Sequence, residues 1–193
     1  MDINNDIIYN NRGISYDNLK VYDKAVANYN KAIELNENSY FAYNNKGIIY
    51  MRLKDYEKAI IHFNKAIELY KSDYNSKIKL NESYAIPYYN RGNAYHNLKA
   101  YKEAIADYSQ AIELNKNHDF AYGNRGLLYC NLNEYDKSIL DFNKAIKLNP
   151  QNYRTYINKT KTYLLMYKYW ILAVSFICNT IFILFKNGRK HFF

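Results

Sequence analysis

The chain has 193 residues, with 24 Tyr against 1 Trp, and only 6 Gly, 2 Pro and 2 Cys. So little Gly and Pro excludes collagen-like and loop-rich β-sandwich architectures, and two cysteines make neither a disulfide framework nor a CxxC metal half-site. The net charge of +9 is unevenly placed: Lys plus Arg and Asp plus Glu number 18 each through Asp141, and all nine remaining cations follow it. A neutral body with a basic, apolar tail does not fit a nucleic-acid binder, and no nucleic-acid partner is expected. The opening residues MDINNDIIYNNRG contain neither a basic n-region nor an apolar h-region. This reads as no signal peptide and predicts an intracellular, cytoplasmic chain.

In chain order the predicted elements come in pairs. Tyr9, Arg12, Gly13, Tyr16 and Leu19 stand at i, i+3, i+4, i+7 and i+10, the apolar stripe of one amphipathic helix. Tyr22, Ala25, Val26, Tyr29, Ala32 and Ile33 make a second stripe. Leu19–Lys20–Val21 leaves room only for a tight connection, so the two helices are antiparallel neighbours. The same pattern restarts at Tyr43, Tyr88 and Tyr122, and the glycines Gly13, Gly47, Gly92 and Gly126 are separated by 34, 45 and 34 residues. Such a hairpin cannot cover its apolar stripe alone, whereas stacked copies can.

The small and large columns predict how the helices touch. Glycine in mid-helix costs about 1 kcal/mol relative to Ala, so a packing reason is expected. The sequence suggests close approach by the small residues Ala25, Ala59, Ala104 and Ser138 of the following helix. Tyr16, Tyr50, Tyr95 and Tyr129, with Tyr29, Phe63, Tyr108 and Phe142, would fill the adjacent holes. Ala32, Ala66, Ala111 and Ala145 form a second small column that would admit the next repeat.

An aromatic-x3-G-x2-Y helix, then A-x3-Y/F-x2-A and a closing Pro150, resembles the tetratricopeptide repeat (TPR) family over about residues 6–152. The chain departs from the family in using Tyr where Trp is common, and in having Glu37, Lys71 and Lys116 where Pro is usual. The expected fold is all-α: a right-handed superhelical solenoid of antiparallel helix pairs, with four TPRs, a degenerate fifth and a C-terminal hydrophobic helix. The repeats are placed at 6–39, 40–73, 85–118 and 119–152. The eleven extra residues between repeats two and three are expected to lengthen a helix across the insertion at 74–84, because eleven residues is almost three helical turns. Ile60, Phe63, Ile67, Tyr70, Tyr74 and Ile78 sustain the stripe, with fraying after about Lys79; a bulging polar loop is the alternative. Residues 153–166 read as a degenerate fifth repeat or capping helix, since Thr160 replaces the glycine. Residues 167–186 read as the hydrophobic helix.

Residues 169–185 contain no charge, with Lys168 before them and Lys186, Arg189 and Lys190 after. Seventeen residues span about 25 Å as a helix, the short end of a membrane crossing. A C-terminal membrane anchor is the first reading of this run. A core helix docked on the last repeat and a degenerate terminus are the others.

The family resemblance implies a non-enzymatic protein–protein interaction module that holds an extended peptide along its concave, first-helix face. One column on that face is Asn11, Asn45, Asn90, Asn124 and Asn158, a ladder of side-chain amides suited to the N–H and C=O groups of an extended backbone. Phe41, Ile48, Asn93, Phe120 and Leu127 complete the expected groove. TPR co-chaperones that clamp an acidic C-terminal tail need Lys, Asn, Asn, Lys and Arg where this chain has Asn10, Ile14, Asn45, Ile86 and Asn90. One match in five disfavours that ligand. The alternatives are a membrane-anchored scaffold that binds a folded partner by its convex face and a helical-repeat RNA binder. The basic column Arg12, Lys46, Arg91, Arg125 and Lys159 invites the RNA reading, but acidic residues balance it in every repeat. No HExxH, GxSxG, GxGxxG or P-loop is present, and no enzyme activity, metal site or cofactor is expected.

Overall fold

A computed structural model describes residues 5–74 and 82–188, with side chains described for all of these except 73–74 and 179–188. Among the described residues there are nine α-helices and no strand. They are α1 (Asn5–Asn18), α2 (Tyr22–Leu35), α3 (Tyr40–Arg52), α4 (Tyr56–Tyr74), α5 (Ala85–Asn97), α6 (Tyr101–Leu114), α7 (Asp119–Asn131), α8 (Tyr135–Leu148) and α9 (Tyr153–Gly188). The chain divides into two compact units, Met1–Arg125 and Gly126–Phe193.

Each helix pair turns in the same way. After the first helix, Lys20, Lys54, Lys99 and Asn133 adopt left-handed backbone, with φ of 59°, 62°, 60° and 62°. The next residue's N–H then reaches back to a carbonyl five positions earlier: Val21 to Tyr16, Asp55 to Tyr50, Ala100 to Tyr95 and Glu134 to Tyr129. This is the Schellman arrangement, which satisfies helix-end carbonyls and reverses the chain within two or three residues.

In the first unit α1 packs on α2, α3 on α4 and α5 on α6, and each second helix (α2, α4) packs on the next first helix (α3, α5). Successive first helices also touch, α1 with α3 and α3 with α5. The first helices therefore line one face of this unit, the inner face. Ala25, Ala32, Ala59, Ala66, Ala104 and Ala111 are fully buried, as are the rings of Phe63 and Tyr108, with Tyr29 at 1 % exposure.

The glycine column has a different neighbour from the one expected. A Cβ on Gly13 would lie 2.4 Å from Tyr29 Cε1, one on Gly47 2.6 Å from Phe63 Cε1, and one on Gly92 2.8 Å from Tyr108 Cε1. The aromatic ring of the second helix, not the small residue one turn before it, occupies the space. The alanines let the backbones approach, and that approach drives the ring edge into the glycine.

α4 is longer than its counterparts, with 19 residues against 14 in α2 and α6, and its last residue, Tyr74, is the first of the expected insertion. The expected continuation from Tyr74 toward Lys79 lies outside the described residues. A 3-10 turn at Glu82–Tyr84 leads into α5. Tyr84 stacks on Tyr70 at 3.9 Å between ring centroids and closes the core at this junction, with Ile67, Tyr88 and Ile112 beside it.

In the second unit α8 packs on α9. Leu128, Ser138, Phe142 and Thr162 are fully buried, and a Cβ on Gly126 would stand 3.1 Å from the Phe142 ring. One continuous helix of 36 residues, α9, covers the segments 153–166 and 167–186 that the sequence separated. Among the described residues no helix is long and apolar enough to cross a membrane. The anchor expected at 169–185 is therefore unsupported. Its run continues past residue 178, the last of the helix with a described side chain.

Candidate functional site

The candidate site is the inner face of the first unit, formed by α1, α3, α5 and the first part of α7. Helical periodicity puts residues four apart on one side. Ile7, Asn11 and Ile14 therefore share the exposed side of α1, with Phe41, Asn45 and Ile48 on α3, Ile86, Asn90 and Asn93 on α5, and Phe120 and Asn124 on α7.

The amide column does more than face solvent. Asn45 Nδ2 donates to Asn10 Oδ1 at 3.0 Å, and Asn90 Nδ2 donates to Asn44 Oδ1 at 3.1 Å. Asn124 Nδ2 donates to Asn93 Oδ1 at 3.0 Å and to Tyr89 Oη at 3.3 Å. Each rung thus joins a first helix to the first helix before it. Asn93 Oδ1 also accepts from Tyr108 Oη at 2.8 Å, and burial holds that phenol well above its usual pKa. Asn11, in the first of the described repeats, is exposed. Ile48 and Asn93 are half-buried. Leu127 and Asn158 belong to the second unit; both are half-buried, and the Asn158 carbonyl accepts from Thr162 Oγ1 at 3.0 Å.

Sequence reasoning singled out the ladder and its partner Asn93 but missed Asn10, Asn44 and Tyr89 as partners. Asn10, Asn44 and Tyr89 stand one residue before the ladder asparagines, in a column whose polar character was the available signal. The apolar members are open: Ile7, Phe41, Ile86 and Phe120 are 54 %, 51 %, 44 % and 53 % exposed.

The basic column is engaged inside the fold. Arg91 grips Asp107 with two parallel bonds, Nε to Oδ2 at 2.7 Å and Nη2 to Oδ1 at 2.6 Å, and donates Nη1 to Asn64 Oδ1 at 2.6 Å. Burial raises the Asp107 pKa, and the Arg91 guanidinium opposes that rise. Arg12 Nε donates to Asn28 Oδ1, and Arg125 Nη1 donates to Ser109 Oγ at 2.9 Å. In repeat two the corresponding pair is Lys46 and His62. Burial lowers both, and the nearby Lys46 charge helps bring His62 to about 4. Among the described residues no group of three His, Cys, Asp or Glu could hold a metal ion.

Stacked antiparallel pairs, a repeated αL turn and an inner face carrying amide rungs define a helical-repeat protein. The sequence profile described as Tetratricopeptide repeat matches residues 7–39, 40–73, 85–118 and 120–152, so the chain belongs to the tetratricopeptide repeat family. No curated protein sequence matches it. Among solved structures it is similar to MamA, at 26 % identity and a TM-score of 0.69, covering 83 % of this chain and 81 % of that one. YrrB, described as a TPR protein with an unusual peptide-binding site, shares the fold at 24 % identity and a TM-score of 0.66, covering 86 % and 79 %. The first TPR of Spaghetti (RPAP3), solved bound to the HSP90 peptide SRMEEVD, matches at 26 % identity and a TM-score of 0.59, covering 68 % and 96 %.

Proposed function

We propose that this protein is a non-enzymatic interaction module that holds an extended peptide segment along the inner face of α1, α3, α5 and α7. The observation that carries this reading is the juxtaposition of amide rungs with half-exposed Ile7, Phe41, Ile86 and Phe120 on one face. The rungs fix the amides in place, so a ligand backbone meets pre-oriented donors and acceptors. The apolar residues offer burial to its side chains. The Spaghetti TPR, solved with a bound peptide, supports a peptide as the class of ligand. An acidic tail such as that peptide's is not the ligand proposed here, because Asn10, Ile14, Ile86 and Asn90 stand where the clamp needs other residues. Engagement of Arg12, Arg91 and Arg125 within the fold weighs against phosphate recognition by that column.

The test is capture from a random peptide library, followed by calorimetry on the wild-type chain and a Phe41→Ala/Phe120→Ala double variant. Both side chains are half-exposed, so the fold is expected to persist while affinity falls at least about tenfold. Unchanged affinity in that variant, with loss in an Ile61→Ser variant on the second-helix side, would move the site to the outer face.

The outer-face, membrane-tethered scaffold is the second reading, and it rests on the exposed apolar side chains of α9 rather than on a spanning length. Tyr169, Trp170, Ile171 and Leu172 are consecutive and all exposed, and at 100° per residue they point right round the helix. Alkaline extraction of the full chain from membranes tests this; recovery in the soluble fraction removes the tether.

A further inference from the structure

We propose that the inner face carries two equivalent side-chain pockets, which together select an extended segment bearing two large apolar residues six positions apart without acidic neighbours. This rests on the reading that the face holds an extended chain. The first pocket, a cavity of about 520 Å³, is lined by Asp6, Ile7, Asn36, Asn38 and Phe41 among others. The second, of about 350 Å³, is lined by Glu82, Ile86, Asn115, Asn117 and Phe120 among others. Ile7 and Ile86, Asn36 and Asn115, Asn38 and Asn117, and Phe41 and Phe120 each stand 79 residues apart, which is two 34-residue periods plus the eleven-residue insertion. The two cavities are thus one design used at the first and third repeat junctions.

Local structure repeats with the columns. The Asn38 N–H donates to Asn36 Oδ1 at 3.0 Å, and the Asn117 N–H donates to Asn115 Oδ1 at 2.8 Å, so the same Asx turn builds each wall. At the intervening junction the column of Asn36 and Asn115 holds Tyr70, which is buried against Tyr84. The asparagine turn is therefore not repeated there, and an extended ligand meets the same asparagine and apolar lining at the first and third junctions.

Spacing follows from helix packing. Successive first helices touch, and packed helices stand about 8–10 Å apart, so pockets two steps apart are separated by about 16–20 Å. An extended chain rises about 3.3 Å per residue, giving about five or six residues. Side chains alternate between faces, so only an even interval sends both anchors into the same surface, and six is selected. Charge sets the flanks. Asp6 lines the first cavity, Glu82 and Asp119 line the second, and neither lining includes Lys or Arg. Acidic neighbours on the ligand would meet like charge, and neutral or basic ones would not.

Fluorescence polarisation of the full chain with short synthetic peptides tests this. Two Leu anchors are set at i,i+5, i,i+6 or i,i+7, or a single anchor is used, each flanked by Lys, Gln or Glu. The i,i+6 peptide with Lys or Gln flanks is expected to bind at least about tenfold tighter than the single-anchor and odd-interval peptides. Phe41→Ala or Phe120→Ala, each alone, is expected to reduce it to the single-anchor level. Equal affinity across intervals, or tighter binding with Glu flanks, overturns the twin-pocket inference. If peptides still bind, and an Asn45→Ala/Asn90→Ala variant loses them, the inner-face reading survives that result. If peptides bind and neither the Phe nor the Asn variants matter, both fall.

Discussion

Replacing the four repeat glycines with alanine one at a time separates two effects that a helix propensity scale alone would merge. Alanine stabilises a helix interior by about 1 kcal/mol over glycine, so propensity predicts four stabilised variants. Packing predicts a gradient. The added Cβ meets ring carbons at 2.4, 2.7 and 2.9 Å at Gly13, at 2.6, 2.8 and 3.0 Å at Gly47, and at 2.8 and 2.9 Å at Gly92, but at 3.1 Å at Gly126. Comfortable carbon contacts lie near 3.5–4.0 Å, and overpacking of a filled core costs about 1–3 kcal/mol. Tyr29, Phe63, Tyr108 and Phe142 are all 1 % exposed or less, so their rings have nowhere to swing. Gly13→Ala and Gly47→Ala are therefore expected to lose roughly 1–2 kcal/mol net, Gly92→Ala about 1, and Gly126→Ala to stay within about 0.5 of wild type. Repeats open semi-independently, so native-state hydrogen exchange resolved by repeat is the assay, supported by urea denaturation. Adding Tyr29→Leu to Gly13→Ala removes the ring and should recover most of the loss, which a double-mutant cycle reads as coupling. Four uniformly stabilised variants, or a Gly126→Ala as damaging as Gly13→Ala, would refute the ring-contact explanation.

The other predictions concern the turns, the buried pair and acid. Lys20, Lys54 and Lys99 hold left-handed φ without being glycine, so each Lys→Gly change is expected to stabilise by about 0.5–1 kcal/mol in urea melts; a lower midpoint would refute the turn's strain. Arg91→Ala leaves the Asp107 carboxylate buried without its bidentate partner and is expected to cost about 3–5 kcal/mol, whereas Arg12 bonds the neutral Asn28 and lies over the Tyr9 ring, so Arg12→Ala should cost about 1–2 kcal/mol. Equal losses by thermal denaturation would argue against the charge-based difference. His62 has a folded pKa of about 4 against an ordinary 6.5, so the folded state prefers the neutral ring. Its contribution is complete above pH 6.5 and lost as pH falls toward 4, about 1–2 kcal/mol after allowance for solvent screening. A His62→Gln variant should flatten the acid limb of the stability profile, and an unchanged limb would assign the acid sensitivity elsewhere.

The sequence by itself determined the repeat. Its 34-residue period, the αα-hairpin, the tight three-residue turn and the demand for close contact at Gly13, Gly47 and Gly92 are legible because helical periodicity reports which side of its own helix a residue faces. The Asn11, Asn45, Asn90 and Asn124 column was legible for the same reason. Only the tertiary structure decided what each side meets. It set the Tyr29 ring, rather than Ala25, against Gly13, joined Asn45 to Asn10 and Asn90 to Asn44, and closed Arg91 onto Asp107. It also showed that Lys20, Lys54 and Lys99 carry the left-handed turn and that Tyr70 stacks on Tyr84 where Asn36 and Asn115 stand at the other junctions. Those outcomes depend on the offset between neighbouring helices, a distance of a few ångströms that no spacing along one strand of sequence encodes.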